Sequence, residues 1–146
     1  MIEISPLQAE DRVRWEELAR GYKEFYRTEV SEDEYERTWQ RLLQAEDVFG
    51  CAARLDGGRV VGIAHYLFHT NPWSSRSCYL QDLFVDVAAR GHGTGRLLIE
   101  HVAQAARDHG AARLYWHTKQ DNQRARLLYD KVADFREFIR YDYPLD

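Results

Sequence analysis

Tyr79-Leu-Gln-Asp-Leu-Phe-Val-Asp-Val-Ala-Ala-Arg-Gly-His-Gly-Thr-Gly-Arg-Leu-Leu-Ile-Glu-His101 reads as a strand, a glycine loop and a helix. An apolar run rich in aromatic and branched residues ends near Val85, glycines stand at Gly91, Gly93 and Gly95, and helical apolar spacing begins at Leu97. Such an order builds an anion site. Glycine lets the backbone approach a ligand closely, and the first N–H groups of a helix have no partner inside it. The helix dipole adds positive potential at the same end.

Spacing separates the loops that work this way. A dinucleotide fold needs glycine three residues after Gly93, where Arg96 stands, and a P-loop needs Lys-Ser/Thr after Gly95, where Arg96-Leu97 stands. What the chain has is Arg-x-x-Gly-x-Gly, at Arg90, Gly93 and Gly95, after Leu83-Phe84-Val85. This resembles the coenzyme A loop of the GNAT family of N-acetyltransferases. A second motif follows: Asn122-x-x-Ala125-x-x-Leu128-Tyr129 after the β run Arg113–Thr118, then a run opening on Phe138-Ile-Arg-Tyr. The resemblance covers nearly the whole chain. Val87 stands where the family usually has proline, Glu137 where glycine commonly precedes the last strand, and Ala133–Arg136 lengthen the last connection.

Outward from the loop, Ile2–Ile4 alternates like a strand. Trp15, Leu18, Tyr22 and Phe25 give a helix to about Tyr26 with an aromatic face. Ser31-Glu-Asp-Glu34 reads as a capping box before a helix striped by Tyr35, Trp39 and Leu42. Val48–Leu55 and Val60–Phe68 flank Asp56-Gly57-Gly58 as a hairpin, and Asn71–Ser75 is a loop. The helix to about His109 carries Leu98, Val102 and Ala105 on one face and closes at Gly110, and Phe138–Tyr143 alternates as a last strand. The order is β-α-α-β-β-β-α-β-α-β: one mixed α/β domain over residues 1–146, which the resemblance implies is a mixed, mostly antiparallel sheet flanked by helices.

Bulk properties exclude several functions. The chain has 146 residues, one domain's length, with 45% hydrophobic and 30% charged residues, and a net charge of −4 gives no basic face for nucleic acid. Two cysteines, Cys51 and Cys78, are too few for a disulfide framework or a four-ligand zinc site. His65 and His69 on one strand stand about 13 Å apart, too far to share a metal. The start lacks a secretion signal, and no apolar run has membrane-spanning length, so cytoplasm is the expected location. A homodimer is admitted.

The resemblance implies an acyltransferase moving acetyl from acetyl-CoA, with no metal, to a primary amine: a small polyamine, an amino acid or a lysine side chain. N–H groups across Arg90, Gly91, His92, Gly93, Thr94, Gly95 and Arg96 would hold the pyrophosphate, and the open edge at Leu83, Phe84 and Val85 the pantetheine amides. Asn122 would orient the cofactor or cap its helix. Tyr129 lies within about 20° of Asn122 around that helix, and its phenol, neutral at pH 7, would donate to the leaving thiolate; the plainer reading is a half-buried tyrosine bonding a carbonyl. Strict alternation puts Asp82 with Leu80 and Phe84, opposite Gln81, Leu83 and Val85, where it would be base and substrate anchor or else partner an arginine. His65 is a weaker base, and Gln81 would orient a water. Tyr26, Glu29, Trp39 and Trp73 would receive a small cation. The competing function is a coenzyme A-binding or regulatory module without turnover.

Overall fold

The structure is a computed structural model that describes residues 1–25 and 28–146, without the side chain of residue 25. Nine main elements follow in order: β1 (Ile2–Pro6), α1 (Arg12–Phe25), α2 (Glu32–Gln44), β2 (Val48–Leu55), β3 (Arg59–Asn71), β4 (Ser74–Val85), α3 (Thr94–Asp108), β5 (Leu114–Tyr115) and α4 (Gln123–Val132). The five strands form one sheet in chain order, antiparallel except for the β4–β5 pair.

Local chemistry explains the boundaries. Asp56 and Gly57 both have positive φ, 48° and 78°, so the β2–β3 link is the tight turn whose twist matches paired strands. Ser31 caps α2, its Oγ accepting from the Glu34 amide at 3.2 Å, while the Glu34 carboxylate lies beside Arg37 and Arg41. At the β3–β4 turn the Asn71 carboxamide oxygen accepts from the Trp73 and Ser74 amides, each at 2.8 Å, which leaves Trp73 projecting at the tip.

Two apolar layers cover the sheet. Trp15, Leu18, Trp39, Leu42 and Ile63 pack beneath α1 and α2, whereas Cys51, Ala64, Cys78, Leu80, Leu98 and Val102 pack on the α3 side. One irregularity decides which residues of β4 face which layer. His65 pairs with Asp82 but Tyr66 pairs with Leu80, so Gln81 is an extra residue, a β-bulge. Strict alternation therefore fails across Gln81. Leu80 shares the α3 layer with Leu83 and Val85, and Asp82 turns with Phe84 toward α1. At that crossing α1 sits directly on β4: a Cβ on Gly21 would stand 3.2 Å from the Phe84 ring.

The last expected strand is absent. Residues 133–146 carry no helix or strand, and β5 is two residues long rather than the expected Arg113–Thr118. Pairing with β4 ends at Tyr79–Tyr115, so nothing beyond that point extends the run, and Phe138–Tyr143, though alternating, lies beside no strand it bonds to. At Glu137, where the family commonly has glycine, φ is 62°, the left-handed region that glycine favours.

A buried ion pair ties the start of the chain to β2. Arg54 grips Asp11 through two nitrogens, each 2.7 Å from a carboxylate oxygen, and those hydrogen bonds hold the carboxyl below its ordinary value of 3.8 despite burial. A depressed pKa adds stability above the unfolded value and loses it as pH falls through the folded one. Urea midpoints should therefore be flat above about pH 5 and fall below about pH 4, and Asp11→Asn should flatten that acidic slope.

Candidate active site

The site opens where β4 and β5 part. After Tyr79–Tyr115 the two parallel strands separate, which leaves the β5-side edge of β4 without a strand partner at Leu83, Phe84 and Val85. Along that edge runs a cavity of about 430 Å³, lined by Tyr22, Leu83–Val85, Arg90, Gly91, Gly93–Arg96, Asn122, Arg124, Ala125, Leu128 and Tyr129. The two motifs distant in sequence thus form opposite walls of one cleft. His92 of the loop is exposed and outside the lining.

The glycine loop has the geometry of an anion cradle. Asp86 starts it with a 3₁₀ turn over Val87–Ala89, its side chain accepting from the Ala88 amide at 3.1 Å, so the loop is fixed without proline at Val87. Gly91 and Gly93 have φ of 87° and 76°, and a Cβ at either would meet nothing within 4 Å; backbone conformation, not space, requires glycine at both. Gly95 differs: a Cβ there would stand 3.2 Å from Leu128, so its bare Cα lets α4 approach α3. The first α3 bond runs from the Leu97 amide to the Gly93 carbonyl, so the Thr94, Gly95 and Arg96 amides have no intrahelical partner. The Thr94 hydroxyl is buried with no hydrogen-bond partner among the described residues, which marks this helix end as built for an added acceptor. Arg90 is anchored through Nε to the Val85 carbonyl at 3.2 Å, beside the cradle, and Arg96 pairs with Glu100 at 3.1 Å.

A smaller cavity adjoins the first, lined by Tyr22, Leu80, Gln81, Leu83, Trp116, His117 and Tyr129. Tyr22, Leu83 and Tyr129 belong to both linings. Tyr129 is half-buried, its ring edge-on to Trp116 at 5.4 Å. Asn122 stands at the N-cap of α4 without a side-chain cap; its Nδ2 donates to Thr118 Oγ1 at 3.0 Å. His117, missed in the sequence reading, has its Nδ1 3.1 Å from the Tyr79 hydroxyl. Its only mark in the sequence is its place two residues past the end of β5 pairing, a point periodicity does not reveal.

Asp82 occupies neither lining. Trp15 Nε1 donates to His65 Nε2 at 2.9 Å, and since an indole can only donate, a neutral His65 carries its proton on Nδ1, 2.9 Å from Asp82. Burial raises the Asp82 pKa, but hydrogen bonds from His65 and Tyr22 and the nearby Lys23 charge outweigh it and leave the carboxyl more acidic than usual. Its partner is a histidine, not an arginine. Asp82 thus reaches the cavities only through Tyr22, which lines both.

The expected acceptor residues are not brought together. Trp39 is 3% exposed and packs at a tilt against Trp15, ring centroids 5.0 Å apart, because its helix face turns to the core. Trp73 is 94% exposed on the β3–β4 turn, and Glu29 is exposed ahead of α2; none of the three lines either of these two cavities. Tyr26 lies outside the described residues.

Comparison with known proteins agrees with this geometry. Residues 15–135 match the acetyltransferase (GNAT) family. The chain is 34% identical over 143 residues, 96% of this chain and 89% of the other, to a D-amino-acid N-acetyltransferase of Saccharomyces cerevisiae. It is 33% identical over 98 residues, 67% of this chain and 57% of the other, to a thialysine N-epsilon-acetyltransferase of Bos taurus. A solved aminoglycoside N-acetyltransferase in complex with CoA superposes with a TM-score of 0.87 at 17% identity, covering 100% of this chain and 96% of that one. The chain belongs to the GNAT family of acetyltransferases. It is an acyl-CoA-dependent N-acetyltransferase, with the fold expected of that class. No helix among the described residues is long and apolar enough to cross a membrane, and they hold no cluster of metal-ligating side chains.

Proposed function

We propose that the chain transfers an acetyl group from acetyl-CoA to the primary amine of a small amino-acid-like or polyamine acceptor. One observation carries this reading: two cavities, one walled by the anion cradle and one by polar side chains, meet at Leu83 and Tyr129 where β4 and β5 part. The cradle fits a pyrophosphate, with the Thr94–Arg96 amides and Arg90 as donors, and the β4 edge fits a chain bearing amides. Acetyl-CoA, when bound, supplies an activated acyl group on a thiol leaving group. Everything else falls to the protein. Tyr129 offers its hydroxyl to the departing sulfur, Asn122 flanks the cofactor arm, and Tyr22, ordered by Asp82, forms the boundary between donor and acceptor. The smaller cavity presents Gln81 and His117 to the incoming amine, which arrives as an ammonium and must lose a proton before it attacks. The acceptors for which the relatives are named, D-amino acids and thialysine, support small amino acids and lysine-like amines.

Release of thiol from acetyl-CoA, followed across D- and L-amino acids, polyamines and lysine peptides, tests this. Turnover with at least one amine is expected; no release from any, with coenzyme A still raising the melting temperature, would establish the binding-module reading instead. The protein's own thiols should not interfere. Burial pushes Cys51 up to about 12 and Cys78 up to about 11, so neither forms appreciable thiolate near neutral pH. Ellman's reagent should find no reactive thiol in the folded chain at pH 8 and both after urea unfolding; rapid native labelling would overturn that.

A further inference from the structure

A carboxylate stands at the head of the anion cradle. Asp86 precedes Arg90 by one short turn, and hydrogen bonds from Arg14 first and the Ala88 amide second hold its carboxyl below the ordinary value of 3.8, so it is ionised at neutral pH. An unpaired negative charge there would work against a pyrophosphate. It is paired: Arg14 Nη2 donates to Asp86 Oδ2 at 2.5 Å, and Arg59 Nη2 lies 3.8 Å from the same oxygen. Both side chains of the Arg14–Asp86 pair are 23% exposed, so water screens it only in part.

Arg14 does more than neutralise. Its Nε donates to the Val60 carbonyl at 2.8 Å, its Nη1 to Glu17 on its own helix at 3.0 Å and its Nη2 to Asp86, so one planar fork spans α1, the start of β3 and the residue that follows β4. The second Asp86 oxygen, Oδ1, accepts from the Ala88 amide at 3.1 Å, and the Asp86 carbonyl accepts from the Ala89 amide at 2.9 Å, which closes the 3₁₀ turn. With one oxygen held by the guanidinium and the Asp86 amide fixed to the Val61 carbonyl at 2.8 Å, the carboxylate keeps the rotamer that caps the turn. The Arg90 amide then bonds the Val87 carbonyl at 3.3 Å, so the turn leads straight into the cradle.

We propose, on the reading of this loop as a pyrophosphate cradle, that Arg14 is a positioning residue for cofactor binding, acting through Asp86 to set the turn that delivers Arg90 and Gly91 to the ligand. Arg14 itself lines neither cavity. α1 thereby serves both reactants: near its start it braces the cofactor loop, and near its end it walls the cleft with Tyr22.

Calorimetry with coenzyme A on the full chain tests this. Arg14→Met keeps an apolar stem and removes the fork; the Kd should rise about tenfold, the KM for acetyl-CoA with it, while kcat with the best amine stays within about twofold. Asp86→Ala should do the same, and the double variant should be weaker by about tenfold rather than about a hundredfold, because the two residues act as one unit. Val87→Pro in the Arg14→Met chain should recover most of the affinity. Position 87 opens the turn, where a missing N–H costs little, and Asp86, with ψ of 134°, already has the extended backbone that proline requires of its predecessor. Glu17→Gln, which removes only the partner on α1, should bind as the parent does. Unchanged Kd in both single variants, a double variant weaker by about a hundredfold, or a loss that proline leaves untouched overturns the proposal. A parent chain that takes up no coenzyme A overturns the cradle reading and this role together, whereas a parent that binds beside single variants that bind equally well removes Arg14 alone.

Discussion

Tyr129→Phe should lower kcat about 100-fold while the KM for acetyl-CoA stays within about threefold, a loss of about 2.7 kcal/mol confined to the transition state. The ring of residue 129 supports the site by packing edge-on to Trp116 and lining both cavities, and phenylalanine keeps all of that. Only the hydroxyl is removed. A structural tyrosine would lose stability and leave turnover intact, whereas a donor to the leaving sulfur loses turnover with the fold unchanged. Steady-state thiol release with the best amine of the panel, beside a thermal melt of the variant, separates the two. Unchanged kcat removes Tyr129 from the chemistry.

Trp15→Ala should have the largest effect on stability. Trp15 is 1% exposed, lies 5.0 Å from Trp39 and 6.3 Å from Tyr35 by ring centroids, and donates to His65. Emptying so large a volume costs about 3–5 kcal/mol, a large fraction of the roughly 5–15 kcal/mol that holds a domain together. The Tm should fall by about 10–20 °C. Trp15→Phe keeps most of the volume but leaves the His65 acceptor unmatched, so it should fall less in Tm and still disturb the Asp82–Tyr22 pair, raising the KM for the amine. A Trp15→Ala melt within about 3 °C of the parent would overturn the packing account.

What could be read from the chain alone follows from how local each signal is. The cradle was legible because glycines at Gly91 and Gly93, an arginine at Arg90 and the apolar start of α3 answer to backbone chemistry within a few residues of one another. Asp56-Gly57 and Ser31 were legible for the same reason. The bulge was not: nothing in Tyr79–Val85 marks Gln81 as the extra residue, because the slip belongs to the pairing with His65 and Tyr66 on another strand. That single slip moved Leu80 to the layer of Leu83 and Val85 and left Asp82 with Phe84 on the α1 side. Trp39 and Trp73 illustrate a related limit, since an aromatic residue on a helix stripe or at a loop tip looks equally suited to core, solvent or substrate until its neighbours are known. The missing last strand is the same limit at larger scale: alternation over Phe138–Tyr143 suits a strand but supplies no neighbour to pair with.

The bare backbone at Gly21 has a consequence for how this enzyme could diversify. α1 carries Tyr22 and rests on the Phe84 ring of the strand that would grip the cofactor, so the distance between roof and floor of the reaction chamber is set by a missing methyl group. A larger residue at that position would press on the Phe84 ring, so that either the ring or α1 has to give way beside the cleft. The shape of the cleft is thereby linked to a residue, Gly21, that does not itself line it.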